Sequence, residues 1–153
     1  MRIVDMTAEY AADVITWRYP EPYTCYDLVG AEPAYFLNPA NGFYALVDDD
    51  GSRSFGPDGQ VPGGAYDDAS LDTGGGLRPE LTGQSRGLGR RSIATGLTFG
   101  RQRFRPAAFR VTIADFNTRA RHVAESLGFT YTSSFNATTD GSRFNILLLK
   151  ERD

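Results

Sequence analysis

A glycine-rich segment of thirteen residues, 79–91, is the feature that most restricts how this chain can fold. It follows a stretch with strand character and three consecutive glycines at 74–76, and it precedes an apolar repeat of helical spacing over residues 89–104. A glycine-rich loop can turn its amide N–H groups toward an anion. The helix that follows adds its unpaired N-terminal donors and the positive end of its dipole. The order strand, loop, helix therefore predicts a site for a pyrophosphate, with a plain surface loop as the alternative.

Two nucleotide-binding motifs fit this segment poorly. A Walker loop needs Gly-Lys-Ser/Thr, and residues 79–91 contain no lysine. A dinucleotide-binding fold places its glycine motif after the first strand, with an acidic residue about 20 positions later. Here the glycine-rich segment lies in the middle of the chain, and its glycines are spaced differently. The segment therefore favours neither phosphoryl transfer nor dinucleotide binding.

The composition indicates one domain, residues 1–153, without a strong electrostatic preference. The chain has 153 residues, of which 41% are hydrophobic, and a formal net charge of −3. This size suits a single full-sized core, and the small charge gives no field that would draw the protein to nucleic acid or a membrane. Cys25 is the only cysteine, which excludes an internal disulfide and a cysteine-based metal site. Because the N-terminus lacks the apolar run of a signal peptide, we expect a cytoplasmic protein. We also expect that the protein binds no metal.

Hydrophobic periodicity predicts strands mixed with helices. Asn117 is a plausible helix cap, and Gly128 is suited to end the same helix in a left-handed conformation. Predicted strands cover residues 2–5, 42–47, 70–77, 109–113, 129–135 and 144–148, with weaker signals at 52–55 and 60–66. Predicted helices cover residues 7–18, 89–104 and 117–127, with two short ones at 25–28 and 32–37.

Short motifs in this order resemble those of the GCN5-related N-acetyltransferase (GNAT) superfamily. The family hallmark Gln/Arg-x-x-Gly-x-Gly/Ala is met by residues 84–89, Gln-Ser-Arg-Gly-Leu-Gly. The second landmark, an Asn-x-x-Ala helix closed by Gly-Phe, is met by Asn117, Ala120 and the Leu-Gly-Phe of 127–129. The resemblance is specific over residues 70–135. It implies a single α/β domain with a central, mixed, mainly antiparallel sheet of six or seven strands, flanked by about four helices.

The resemblance also implies an acetyltransferase with acetyl-CoA as cosubstrate and a small-molecule or peptide amine as acceptor. The pantetheine arm would insert between the glycine-broken strand and the strand at 109–113, pairing with backbone as an extra strand would. The pyrophosphate would lie on the loop amides, and Asn117 would bind the arm near its thiol. The residues implied to hold the cosubstrate are Gly75, Gly76, Leu77, Gln84, Ser85, Arg86, Gly87, Leu88, Gly89, Arg90, Asn117 and Ala120.

One departure from the family pattern concerns proton transfer. Many members carry a tyrosine four residues after the motif's alanine, which protonates the departing thiolate, whereas this chain has Ala124. Tyr131 is a candidate replacement, although an aromatic residue in a strand is more often packing. The attacking amine must lose a proton, so we assign the general base to Asp72, two residues before the glycines. The alternative for Asp72 is a strand residue that faces solvent.

A dense aromatic cluster near the N-terminus is a candidate acceptor site. These side chains either shape a pocket for the amine, with Glu21 or Asp27 attracting its ammonium group, or simply pack over the sheet. The members are Trp17, Tyr19, Tyr23 and Tyr26.

Two other functional classes stay open at this stage. Ala124 motivates a non-catalytic module that binds or senses acyl-CoA, and the third hypothesis is a structural or partner-binding domain. The sequence does not identify the acceptor, because pocket shape sets that specificity. Dimers are common among relatives, so a homodimer is also open.

Overall fold

The computed structural model describes residues 1–48, 51–83 and 87–152, and within them one seven-stranded sheet is flanked by four α-helices. The strands are β1 (Arg2–Asp5), β2 (Phe43–Val47), β3 (Gly51–Phe55), β4 (Leu71–Leu77), β5 (Ala108–Ala114), β6 (Thr130–Asn136) and β7 (Arg143–Lys150). The helices are α1 (Ala8–Val14), α2 (Pro33–Leu37), α3 (Leu88–Phe104) and α4 (Thr118–Ser126). Among these described helices, none has the length and apolarity needed to cross a membrane.

The sheet is mixed and mainly antiparallel, which confirms the predicted fold class. Its strand order is β1-β2-β3-β4-β5-β7-β6. Every neighbouring pair is antiparallel except β4 with β5, which is parallel. The parallel pair needs a crossover, and α3 supplies it. The predicted phosphate loop thus lies between β4 and the start of α3.

Helices cover both faces of the sheet. Adjacent strand residues face opposite sides: Tyr44 packs on the core formed with α3 and α4, whereas Phe43 packs on the core formed with α1 and α2. The first core contains Leu97, and α3 approaches β5 closely there. A Cβ added at Gly100 would lie 2.8 Å from the ring of Phe109. A larger residue at this point would push α3 away from the sheet.

Local signals were reliable at most element boundaries. Asn117 caps α4, since its Oδ1 accepts from the Ala120 amide at 3.1 Å, and Gly128 ends the helix with a φ of +100°. The predicted helix 7–18 is shorter, because α1 stops at Val14. The weak strand signal at 60–66 was wrong, since that segment is irregular. The predicted helix near Cys25 is a single 3-10 turn at Tyr23–Tyr26.

Candidate active site

The two central strands of the sheet separate after a short contact. β4 and β5 pair only at Leu71 with Phe109 and at Asp72 with Arg110. Further along, residues 73–77 of β4 pair with β3, and residues 111–114 of β5 pair with β7. The facing edges of β4 and β5 therefore diverge into a gap, called here the wedge. Backbone donors and acceptors on an open strand edge can bind an extended ligand as an additional strand.

The glycines of β4 border this wedge. Gly75 is required by its close contact with β3 and not by a ligand. Gly75 has a φ of +144°, and a Cβ there would lie 2.1 Å from the Ser52 carbonyl oxygen. The backbone that approaches this glycine closely is thus β3. Gly76 lies under the Tyr19 hydroxyl, 3.1 Å from where its Cβ would be, and Leu77 is buried at the end of the strand.

The start of α3 is open in the way that an anion site requires. Gly87 is the N-cap residue with a φ of +70°, and it has no side chain to cap the helix. A Cβ added at Gly87 or Gly89 would meet nothing within 4 Å. The backbone amides of the first turn can therefore donate hydrogen bonds to an oxyanion. Of the other predicted loop residues, Gln84, Ser85 and Arg86 lie outside the described residues.

Two more of the predicted cosubstrate residues flank this helix start. Leu88 is half-buried at the first position of α3. The Nε of Arg90 contacts the Ser126 hydroxyl at 3.3 Å. Arg90 therefore leans toward α4 and ties the two helices together beside the loop.

Asn117 joins the end of β5 to a residue from the opposite layer. Its Oδ1 accepts from Ala120, and its Nδ2 donates to the hydroxyl oxygen of Tyr26 at 3.0 Å. Since the phenol oxygen accepts this bond, its own proton is available to another acceptor. Burial raises the pKa of Tyr26, although the Asn117 hydrogen bond opposes that shift. The hydroxyl is therefore protonated at neutral pH.

Residues 19–26, called here the tyrosine strap, cross the open end of the wedge. On the β4 side, the Tyr19 hydroxyl donates to the Leu77 carbonyl at 2.7 Å. On the β5 side, Tyr26 binds Asn117, and the Tyr23 and Tyr26 rings pack on Phe116 with centroids 5.9 and 6.1 Å away. Burial and the nearby Asp27 carboxylate raise the pKa of Tyr19 to about 12. The strap thus places three hydroxyl-bearing rings over the wedge.

One member of the predicted aromatic pocket lies elsewhere. Trp17 is buried in the core under α1, and the Arg78 guanidinium lies 5.2 Å from its ring centre. Its side chain packs an irregular segment against the sheet. This corrects the expectation that Trp17 contacts the acceptor. Tyr19, Tyr23 and Tyr26 are the three members at the wedge.

The geometry of Asp72 argues against its predicted role as general base. Asp72 is 4% exposed, and Arg110 binds both carboxylate oxygens, with Nε to Oδ1 at 2.6 Å and Nη2 to Oδ2 at 2.8 Å. The Gln60 amide donates to Oδ2 as well, at 2.9 Å. A carboxylate held in this way is poorly placed to take a proton from an amine. Asp72 and Arg110 instead close the narrow end of the wedge, where the last β4–β5 pair lies.

Tyr131 is also in the wrong place for its predicted role. It lies half-exposed on β6, at the edge of the sheet, and two strands separate it from β4. Its hydroxyl bonds Ser134 at 2.7 Å, and Arg121 lies over its ring. It therefore cannot reach the wedge. The hydroxyl that does reach Asn117 is that of Tyr26, 91 residues away in sequence.

The fold is shared with solved acetyltransferase structures at low sequence identity. The GNAT-family acetyltransferase from Bacillus anthracis matches with a TM-score of 0.65 and 13% identity, covering 99% of this chain and 95% of that one. The yncA protein of Salmonella typhimurium, solved with its cofactor acetyl-CoA, matches with a TM-score of 0.65 and 15% identity, covering 99% and 94%. Aminoglycoside acetyltransferase AAC(6')-Ib, in complex with coenzyme A, matches with a TM-score of 0.70 and 12% identity, covering 98% and 94%.

The chain resembles these proteins in structure and not in sequence. No protein-family model matches the sequence, and no curated protein does. At 11–21% identity the solved structures establish the architecture rather than the chemistry. The three structures named above each match 98–99% of this chain. This chain therefore has the fold of the GCN5-related N-acetyltransferases.

Proposed function

We propose that this protein is an N-acetyltransferase that transfers the acetyl group of acetyl-CoA to a primary amine. The observation that carries the proposal is the wedge, closed at one end by the Asp72–Arg110 pair and crossed at the other by the tyrosine strap. The open edges of β4 and β5 suit an extended pantetheine arm, and the uncapped first turn of α3 suits its pyrophosphate. Asn117, three residues after the end of β5, would bind the arm close to the thiol.

Direct attack of the amine on the thioester, within a ternary complex, is the mechanism that these residues favour. The only cysteine, Cys25, is a poor candidate for an acyl-enzyme nucleophile, because burial and nearby carboxylates raise the pKa of its thiol. The amine would enter under the strap, where Asp27 lies beside Tyr19 and can attract an ammonium group. With both Asp72 oxygens occupied, water takes the proton that the amine releases. The amine nitrogen then bonds to the carbonyl carbon as the carbon–sulfur bond breaks.

Tyr26 is our candidate for the proton donor to the departing thiolate. Its hydroxyl oxygen accepts from Asn117 and so presents its proton outward at the residue that would bind the thiol end. A protonated phenol at this point would supply what Ala124 cannot. Because a thiol has a pKa of about 8.5, this help accelerates thiolate departure but is not strictly required for it.

The acceptor class is a small-molecule or peptide amine. AAC(6')-Ib has been solved with ribostamycin and coenzyme A, which supports a small amine under the strap. The aromatic rings of the strap offer apolar walls, and Glu21 and Asp27 offer charge. A homodimer would not be needed to complete the wedge, whose residues all come from one chain.

Binding and turnover test the proposal separately. A ligand that binds only the native state at 100 times its dissociation constant stabilises it by about 2.7 kcal/mol, so coenzyme A should raise the Tm. Thiol release from acetyl-CoA should then appear with at least one member of a library of amines. Absence of a thermal shift at millimolar coenzyme A would remove the proposal. A shift without thiol release for any amine would favour the alternative, a non-catalytic acyl-CoA sensor, for which Ala124 is the supporting observation.

A further inference from the structure

An arginine without an acidic partner lies inside the main core. Arg53, on strand β3, is 4% exposed and lies beneath α3. The helix carries a buried glycine, Gly96, at the point of contact, where an added Cβ would lie 3.1 Å from the Arg53 Nε. Glycine inside a helix costs about 0.5–1 kcal/mol relative to alanine. The chain therefore gives up helix stability at the place where the guanidinium needs room.

The charge of Arg53 is not matched by any group that the structure places beside it. Its Nη2 lies 3.4 Å from the Thr73 hydroxyl, and its Nε is buried without a hydrogen-bond partner. Within residues 1–48, 51–83 and 87–152, no carboxylate lies within salt-bridge distance of it. Burial lowers the pKa of Arg53 to about 10, so the guanidinium is still charged at neutral pH. Buried charges are normally paired.

A second buried arginine of the sheet, Arg110, has a complete ion pair and serves as a comparison. Arg110 is equally buried, and the two oxygens of Asp72 bind it in a bidentate pair. Arg53 has the same planar donor fork, which suits a carboxylate, but only a hydroxyl near it. Among the described residues, Arg53 therefore lacks the carboxylate partner that Arg110 has.

The position of Arg53 connects it to the wedge. Thr73 is the first residue of β4 beyond the last β4–β5 pair, so its side chain marks the narrow end of the wedge. Thr73 shares the α3 side of the sheet with Arg53, because Phe55, its cross-strand partner, faces the core with Leu97. The strap and the entering amine lie on the other side, beside Gly76. An acyl chain that continued past the thioester, away from the amine, would run toward Thr73 and Arg53.

We propose that the acyl group of the donor ends in a carboxylate that binds Arg53 and Thr73, so that the preferred donor is a dicarboxylic acyl-CoA such as succinyl-CoA. This inference rests on the proposed function, whose chemistry it leaves unchanged. The amine nitrogen bonds to the thioester carbon, the carbon–sulfur bond breaks, and the thiolate takes a proton. The products are an amide and coenzyme A, and the distal carboxylate is neither formed nor consumed.

A pair of matched donors tests the proposal on the wild-type protein. Succinyl-CoA and butyryl-CoA have acyl chains that differ only in a terminal carboxylate or methyl group. A charge-assisted hydrogen bond to a buried group should favour the succinyl donor by about 10- to 100-fold in Kd and in kcat/KM. Isothermal titration gives the first quantity without turnover. Equal or tighter binding of butyryl-CoA would overturn the proposal.

Variants assign the effect to Arg53. Arg53→Met should abolish the preference for the succinyl donor while leaving the Kd of acetyl-CoA within a few fold, and Arg53→Lys should retain part of the preference. Arg103→Met, at an exposed arginine of α3, is the control and should change neither value. Acetyl-CoA distinguishes failure of this inference from failure of the proposed function. Turnover of acetyl-CoA with no succinyl preference overturns only this inference, whereas failure of every acyl-CoA to bind overturns the proposed function as well.

Discussion

The Asp72→Asn substitution separates a structural role for this carboxylate from a catalytic one. In the wild-type protein Asp72 and Arg110 are each 4% exposed, and two short hydrogen bonds join them where β4 and β5 make their last contact. The amide keeps the shape of the carboxylate but removes its charge. Arg110 is then left buried with only the Asp67 carboxylate, 3.2 Å from its Nη1 and largely exposed. We therefore expect a loss of stability rather than a selective loss of chemistry.

The size of the loss follows from the burial of the pair. Removing one partner of a buried ion pair costs about 3–5 kcal/mol. For a chain of this length each kcal/mol lowers the Tm by about 2–4 °C, so the Tm should fall by about 6–20 °C. Asp67→Asn is the matched control, because it removes the exposed partner of the same arginine. An exposed pair contributes about 0–1 kcal/mol, so that variant should unfold close to the wild type.

Urea unfolding followed by circular dichroism, with turnover measured on the fraction that is folded, gives both quantities. We expect a lower free energy of unfolding and no pH-dependent loss of turnover in the folded fraction. The opposite pattern would refute it: an Asp72→Asn protein as stable as the wild type, whose turnover is about 10²–10⁴-fold lower near neutral pH and recovers as the pH approaches the amine's pKa. That result would return the general base to Asp72.

Three further predictions concern the loop and the strap. Gly87→Val should abolish the thermal shift by coenzyme A, because the side chain would fill the open space at the start of α3. Gly30→Val, at a similarly positive φ and also in open space, is the control and should keep the shift. Normal coenzyme A binding by Gly87→Val would exclude the loop as the phosphate site. Tyr26→Phe should lower turnover of acetyl-CoA by about 10²-fold but should not lower turnover of an activated aryl thioester. Tyr23→Phe is the control and should affect neither donor. Equal losses of turnover on both donors would show that Tyr26 only shapes the site. The hydrogen bond from Tyr19 needs its proton, so its stabilisation should be complete below the ordinary pKa of about 10 and lost as pH rises through about 12. The difference in unfolding free energy between wild type and Tyr19→Phe should shrink over that range, and a constant difference would contradict the assignment.

Features encoded within a few residues were predictable from the sequence. The Asn117 cap and the left-handed Gly128 depend on local backbone geometry, and both formed as expected. The three glycines at 74–76 mark an unusual stretch of strand, and at Gly75 the Ser52 carbonyl oxygen lies where a side chain would be. The sequence pattern could not say that the approaching chain is β3.

Contacts between distant residues were the ones that escaped prediction. Arg110 alternates with apolar neighbours, a pattern typical of a strand with one side facing solvent. β5 is in fact central, and the polar side is covered by Asp72 and by the Tyr66 ring, whose centre lies 4.9 Å from the guanidinium carbon. The partner is 38 residues away, so no local spacing reveals it. A charged residue at the middle of a strongly apolar strand was the available signal that a buried partner exists.

The two residue pairs that join β4 to β5 also bear on how the chain folds. Strands β1 to β4 are consecutive in both sequence and space, and β5, β7 and β6 form a second group from the last third of the chain. Most strand pairing is thus between near neighbours along the chain, which lowers the contact order and favours fast folding of each group. The groups meet in the sheet only at Leu71–Phe109 and Asp72–Arg110. We expect the protein to fold as two units, connected through α3, that dock late. A ligand bound between the diverging strands would contact both units, so we expect it to make them unfold cooperatively.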